Sequence, residues 1–373
     1  MSSAFYLTLL IGPVVPAPAP QPVMDAITGV QVTTTAGQRS GFQLTFAVSK
    51  DSPLQQALLP AGYFDPAVRV IVVATVGGVP NVLSDGVITR QELAPSNDPG
   101  KSTLTVTGED LTVLMEFMEV KLPFPGLPLA AIVELILAKY AVFGIVPVVI
   151  PPLFLDVPNP LERFATQSGT DLDYVKAIAE DAGYVFYLDP GPAPGMNLGY
   201  FGPEIRIGVP QPALSVDMDG QTNVESLSFS LDGLAKTMPI VLVQIPEVKV
   251  SIPIPIPDVS ILRPPLAARP SMPLKVRFLD GTAKLNPIQA ILFGLAKAGQ
   301  SSDSVTGSGS LDVLRYGRPL KARGLVGVRG AGLAYDGLYY VKSVTHDIKR
   351  GQYKQNFSLA REGLISLLPR VPV

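Results

Sequence analysis

The chain contains a single histidine, His346, which stands three residues after Ser343 and one before Asp347. A serine nucleophile, an imidazole base and an orienting carboxylate are the parts of a hydrolase triad. The spacing argues against that chemistry. Side chains alternate along a strand, so Ser343, Thr345 and Asp347 point one way and Val344, His346 and Ile348 the other. His346 is therefore expected to be a packed or interface histidine. Asp217-Met218-Asp219-Gly220, followed by Gln221, Asn223 and Glu225, resembles a calcium loop. Its glycine comes too early, however, and no acid stands where the closing bidentate glutamate is needed, so a solvated turn is the expectation. Gly327, Gly330 and Gly332 sit between strands with no helix behind them, so they cradle no phosphate. Asn356-Phe357-Ser358 is a glycosylation sequon inside a strand and is discounted. Asp171, Asp173, Glu180 and Asp181 read as the solvated face of a helix whose first turn favours acids. Cysteine is absent, which removes disulfides and thiolate metal sites. The sequence therefore predicts no catalytic residue, no metal and no cofactor.

The elements that would position such residues are mostly strands. Of 373 residues, 38 are proline and 34 glycine, which excludes a helical bundle because both break helices. With 47% hydrophobic residues, there is too much to bury for a disordered chain. Charged residues make up only 16%, against about 25% in an average soluble protein. That deficit points to surface covered by partners. A net charge of -2 lacks the basic excess of a nucleic-acid binder. The apolar start lacks the basic residues of a signal peptide. Leu127–Leu155 carries Glu134, Lys139 and three prolines, which argues against stable membrane insertion.

Three blocks follow from the patterning: 1–110, 111–215 and 216–373. In the first, Phe5–Leu10, Phe42–Val48, Val68–Val76, Asn81–Leu93 and Ser102–Thr107 read as strands of an antiparallel sheet or barrel. In the second, Asp110 caps a helix to about Met118, and helices are expected at Leu129–Phe143 and Leu161–Gln167. Thr170 then caps a helix with Leu172, Val175, Ile178 and Ala179 on one face and Gly183 at its end. Tyr184–Leu188 is a strand. In the third, Val224–Leu231 is a strand, and Tyr339–Lys349 with Gln352–Leu359 forms a hairpin about Arg350-Gly351. Two insertions interrupt it. The helix at 287–298 is capped by Asn286, with Pro287 first in the helix, and is followed by a Ser/Gly-rich loop at 300–310. The arm at 239–270 contains Ile252, Pro253, Ile254, Pro255, Ile256 and Pro257. Proline at alternate places removes amide donors, so the arm is an edge or a polyproline-type segment. Its apolar faces need covering, and these six residues are the candidate interface with a neighbouring copy of the chain or another partner protein; the alternative is an arm folded back on its own barrel.

Gln167-Ser-Gly-Thr-Asp-Leu-Asp-Tyr-Val-Lys-Ala-Ile-Ala-Glu-Asp-Ala-Gly-Tyr-Val-Phe-Tyr-Leu188 and the segment from Tyr335 to Arg361 resemble the late control protein D and VgrG-like baseplate hub family of contractile tails and injection systems. Thr222–Asp232 and the Thr105–Leu114 step are similar to that family's layout. The resemblance implies a mainly β fold with α (α+β): two antiparallel β-barrel-like hub domains with a helical insertion domain between them. It also implies a homotrimer that joins a three-fold spike to the six-fold tail tube. The expected partners are a separate spike protein, tail-tube or tube-initiator proteins and other baseplate proteins. The expected location is a virion or extracellular particle, assembled in the bacterial cytoplasm. Only twelve residues follow Arg361, so the spike is expected to be another chain. The proline-rich arm departs from the family pattern. The rival classes are a tail-associated cell-wall hydrolase, for which no paired carboxylates or placed nucleophile are readable, and a sugar-binding β-module, which the absence of tryptophan disfavours.

Overall fold

The computed structural model describes residues 5–98, 101–152, 165–245, 250–257, 263–279, 287–299 and 303–367. The strands run Phe5–Gly12 (β1), Ala17–Pro18 (β2), Ile27–Thr35 (β3), Gly41–Val48 (β4), Arg69–Val76 (β5), Val79–Ala94 (β6), Ser102–Asp110 (β7), Glu119–Phe124 (β8), Ile145–Val149 (β9), Ala165–Thr170 (β10), Val185–Pro190 (β11) and Asn197–Gly202 (β12). They continue with Gln211–Ser215 (β13), Val224–Leu231 (β14), Thr237–Ile245 (β15), Val250–Pro255 (β16), Ala267–Pro270 (β17), Lys275–Phe278 (β18), Val305–Asp312 (β19), Leu325–Arg329 (β20), Gly337–Lys349 (β21), Gln352–Arg361 (β22) and Gly363–Ser366 (β23). The α-helices are Gln21–Ala26 (α1), Leu129–Ala138 (α2), Asp171–Ala182 (α3), Pro287–Gly299 (α4) and Val313–Tyr316 (α5).

The fold is mainly β with a minority of helix. The first and third sequence blocks share one sheet, in the order β14-β19-β22-β21-β3-β4-β7-β6-β5-β1-β2, with β20 and β13 branching from β21. The joint is the antiparallel pair β21–β3, with Thr345 opposite Thr33. One hydrophobic core runs beneath both halves, from Leu9, Phe46 and Phe64 to Val341, Tyr353 and Leu359. Strict alternation explains this. Phe42, Leu44, Phe46 and Val48 are buried while Gln43 and Thr45 face out, so one side of each strand supplies the core.

The middle region has its own core, built from Ile132, Val133, Ile136 and Leu137 of α2, Leu172, Val175 and Ile178 of α3, and Phe186, Leu188 and Phe201. The cap of α3 is as the sequence predicts. Thr170 Oγ1 accepts from the Asp173 amide at 3.1 Å, and Gly183 closes the helix at φ +68°, a conformation that disfavours a Cβ.

Four elements differ from the sequence expectations. The helix after Asp110 is a 3₁₀ turn ending at Glu116. The α2 helix stops at Ala138, and Ile145–Val149 beyond it is a strand paired in parallel with β12. Ala165–Thr170 is a strand, because it pairs with β8; 161–164 lie outside the described residues, as does the Asn286 cap. The expected loop at 300–310 becomes β19 from Val305. Its glycines fit because Phe229 and Phe357 crowd the places where Cβ atoms of Gly307 and Gly309 would stand, and its serines pair across to β14.

Candidate functional site

His346 is buried in the hairpin β21–β22. Its Nδ1 lies 2.7 Å from the Tyr353 hydroxyl and 3.2 Å from Gln355 Nε2. The Gln355 amide is fixed by Leu320, whose N–H donates to its oxygen and whose carbonyl accepts from its nitrogen. Nδ1 therefore faces donors and must accept, which places the imidazole proton on Nε2. Burial pushes the imidazole down to about 3. The two triad candidates lie elsewhere: Ser343 Oγ pairs with Ser358 Oγ at 2.6 Å, and Asp347 pairs with Lys349 at 3.5 Å. The strand geometry read from sequence holds, and His346 is a packing residue.

The Asp217–Gly220 segment is a short turn, with Asp219–Gln221 in 3₁₀ form. Among the described residues, no group of three or more His, Asp or Glu side chains could hold a metal. The acidic helix is not wholly solvated. Asp171 is buried and accepts from Lys139 Nζ at 3.0 Å, Tyr140 Oη at 2.8 Å and Gln167 Nε2 at 2.6 Å. Burial, with the neighbouring Asp171 carboxylate, raises the Tyr140 phenol above its usual range.

The Ile-Pro run forms β16, the edge of a small sheet ordered β16-β15-β18. Ile256 donates its amide to the Pro239 carbonyl at 3.0 Å. By alternation, Pro253 and Pro255 then direct their missing donors away from β15, where no bond is lost. The isoleucines share one face unequally. Ile256 is buried in a core with Val241, Val243 and Ala290, Ile254 is packed against that core, and Ile252 is 44% exposed. Pro253, Pro255 and Pro257 are exposed. This chain's own α4 thus covers Ile256, leaving Ile252 and the proline row for any partner.

A second surface is legible in the sequence only strand by strand. The polar sides of eight strands, β14-β19-β22-β21-β3-β4-β7-β6, form one continuous face. One row runs Ser228, Ser308, Ser358, Ser343 and Thr35. Another runs Asp347, Gln31, Gln43, Thr107 and Arg90. The hydroxyls satisfy one another: Ser226–Ser310 at 2.8 Å, Ser228–Ser308 at 3.0 Å and Thr33–Thr345 at 3.1 Å. Its charges are largely paired, as Lys354 with Glu225 at 2.8 Å and Arg39 with Glu109 at 2.5 Å. The result is broad, polar and nearly neutral. The alternation of Ser and Thr in single strands is the only signal of it in the sequence.

Buried arginines tie the middle region to this sheet. Arg69 holds Asp85 through two bonds of 2.7 Å and reaches the Phe143 carbonyl at 2.8 Å, while Asn197 donates to Asp85 at 2.8 Å. Arg206 grips Asp303 through bonds of 2.7 and 2.8 Å. Burial alone would lower Arg206 and raise Asp303, but the paired bonds win and hold Arg206 above and Asp303 below their usual ranges. Arg323 bonds Asp189 at 2.8 Å and stacks 4.0 Å above Tyr187, whose phenol burial pushes up to about 12. These pairs fix geometry; none of the three arginines lines the cleft at Phe5, Met24 and Ile348 or the cleft at Arg39, Phe42 and Thr107.

No known family profile and no curated protein matches the sequence. Solved structures do. A tail protein from Neisseria meningitidis superposes with a TM-score of 0.63 at 13% identity, covering 97% of this chain and 98% of that one. A prophage tail protein from Shewanella oneidensis gives 0.60 at 14%, covering 96% and 99%. A component of the type VI secretion system from E. coli gives 0.54 at 12%, covering 93% of this chain and 78% of that one. At such identities the likeness is one of fold, and this chain has the fold of those tail and secretion-system proteins.

Proposed function

We propose that this chain is a structural baseplate hub subunit that trimerises and adapts a three-fold spike to the six-fold tube of a contractile tail or injection system. The observation that carries the reading is end-to-end agreement of fold with two tail proteins, one of them from a prophage. The neutral hydroxyl face supports it. A surface with mutually bonded hydroxyls and paired charges binds neither polyanions nor apolar segments strongly, which suits the lining of a passage. The division at residues 110 and 215 into two hub domains and an insertion belongs to this proposal. So do the separate spike, the tube and baseplate partners and the particle location. Among the described residues no helix is long and apolar enough to cross a membrane. The arm joins a neighbouring hub copy or a baseplate protein through Ile252, Pro253, Pro255 and Pro257. Mass photometry of the purified chain at micromolar concentration, with and without its spike, tests the reading. Three copies per particle are expected, and only monomer in both samples would overturn it.

A further inference from the structure

We infer that the free edge of β18 takes up a strand of a partner protein, one that alternates apolar and acidic residues. The inference does not depend on the trimeric reading. The small sheet β16-β15-β18 has one face covered and one bare. Val241, Val243, Ile254 and Ile256 pack with Ala290 and Ala298 of α4. The registers put Ile240, Leu242, Val276 and Phe278 on the opposite face, beside Pro253 and Pro255. Val276 is 53% and Phe278 56% exposed, and Met272 and Leu274 just before them are more exposed still. A contiguous apolar patch of this kind marks an interaction site.

The edge itself says what fits there. Prolines block the β16 side of the sheet. On the other side β18 pairs with β15, and that is its only strand partner among the described residues. The Leu279 amide donates to the Ile240 carbonyl at 2.9 Å. By alternation, the backbone N–H and C=O groups of Val276 and Phe278 then point away from β15. A lipid surface offers those groups no bonds, whereas an added strand bonds them directly. Lys275 and Arg277, between and beside the apolar pair, are exposed and lie on the α4 side. From β15 through α4, residues 237–299 hold seven Lys or Arg against three Asp or Glu, a basic block in a chain of net charge -2. Two copies of β18 would set Lys275 and Arg277 against one another, so the edge rejects its own copy. A strand with acids opposite these two cations and apolar residues opposite Val276 and Phe278 matches both faces.

A fluorescein-labelled peptide of alternating valine and glutamate, titrated with the full chain and read by fluorescence anisotropy, tests the site. It should bind the wild type, and a valine–lysine peptide should not. Lys275→Glu with Arg277→Glu should weaken the first peptide by about tenfold and take up the second. Both side chains are exposed, so the circular dichroism should stay unchanged. Val276→Pro removes an outward donor and should weaken binding to a similar degree. A charge-reversed chain that holds the valine–glutamate peptide as well as the wild type does would overturn the proposal. So would wild-type chain that floats with phosphatidylglycerol vesicles but fails to hold the peptide. A smaller oligomer in Val276→Pro than in the wild type, seen by mass photometry, would give the edge to a second copy and overturn it too. If Val276→Pro does not fold, the exchange of peptide preference by the charge-reversed chain decides.

Discussion

Acidification should destabilise this protein through His346. In the folded chain, burial holds the imidazole at about 3, against 6.5 for a free histidine. The unfolded chain therefore takes up the proton first. His346 costs nothing above about pH 6.5, and stability is lost as the pH falls from there toward 3. Between pH 8 and pH 5 the loss is about 1.5 pH units at 1.36 kcal/mol each, or about 2 kcal/mol. His346→Gln removes the titration. It also disturbs the bonds to Tyr353 and Gln355, which costs on the order of 1 kcal/mol at neutral pH. The carboxylates titrate in both proteins and largely cancel in the difference. Urea unfolding followed by circular dichroism at pH 8, 6.5 and 5 should show the wild type's advantage shrinking by about 2 kcal/mol, enough to reverse its sign. The single histidine gives an independent readout, because its carbon-bound ring proton is one unambiguous NMR signal. That signal should stay unshifted down to about pH 5 while the fold persists. A stability difference constant to within about 0.5 kcal/mol across the range, or a ring signal titrating near 6.5, would refute the reasoning.

Other outcomes follow from single contacts. Arg69→Met leaves Asp85 buried without its cation, with Asn197 as its remaining donor, and should destabilise the chain by about 3–5 kcal/mol, seen as early protease cleavage in the middle region. Gly309→Val places a side chain against the Ser226 carbonyl and the Phe357 ring. It should cost on the order of 1–3 kcal/mol in a melting curve, and an unchanged melting temperature would contradict the close packing of β19. Ile256→Ala should lower stability by about 2–5 kcal/mol, whereas Ile252→Asp should leave the melting curve within about 0.5 kcal/mol and weaken particle assembly. Equal stability losses at the two positions would show that the whole arm belongs to the subunit core.

The alternating strands were legible because a half-buried strand writes its pleat into the chain. Phe42 to Val48, Ser102 to Thr107 and the Arg350-Gly351 hairpin needed no partner to be recognised. The α3 helix was legible through its cap and its apolar stripe, and the packing role of His346 followed from its parity against Ser343 and Asp347. The rest depended on contacts between distant residues. Gly307 and Gly309 look like a flexible linker until Phe229 and Phe357 fill the space above them. Asp171 looks solvated until Lys139, Tyr140 and Gln167 converge on it from other elements. The β21–β3 pair, which fuses both halves into one sheet, joins positions about three hundred residues apart, and no local pattern encodes that choice. The sequence by itself therefore determined which side of each strand is polar. Registers set by core packing between distant strands, which exist only in the folded chain, bring eight of those sides onto one surface.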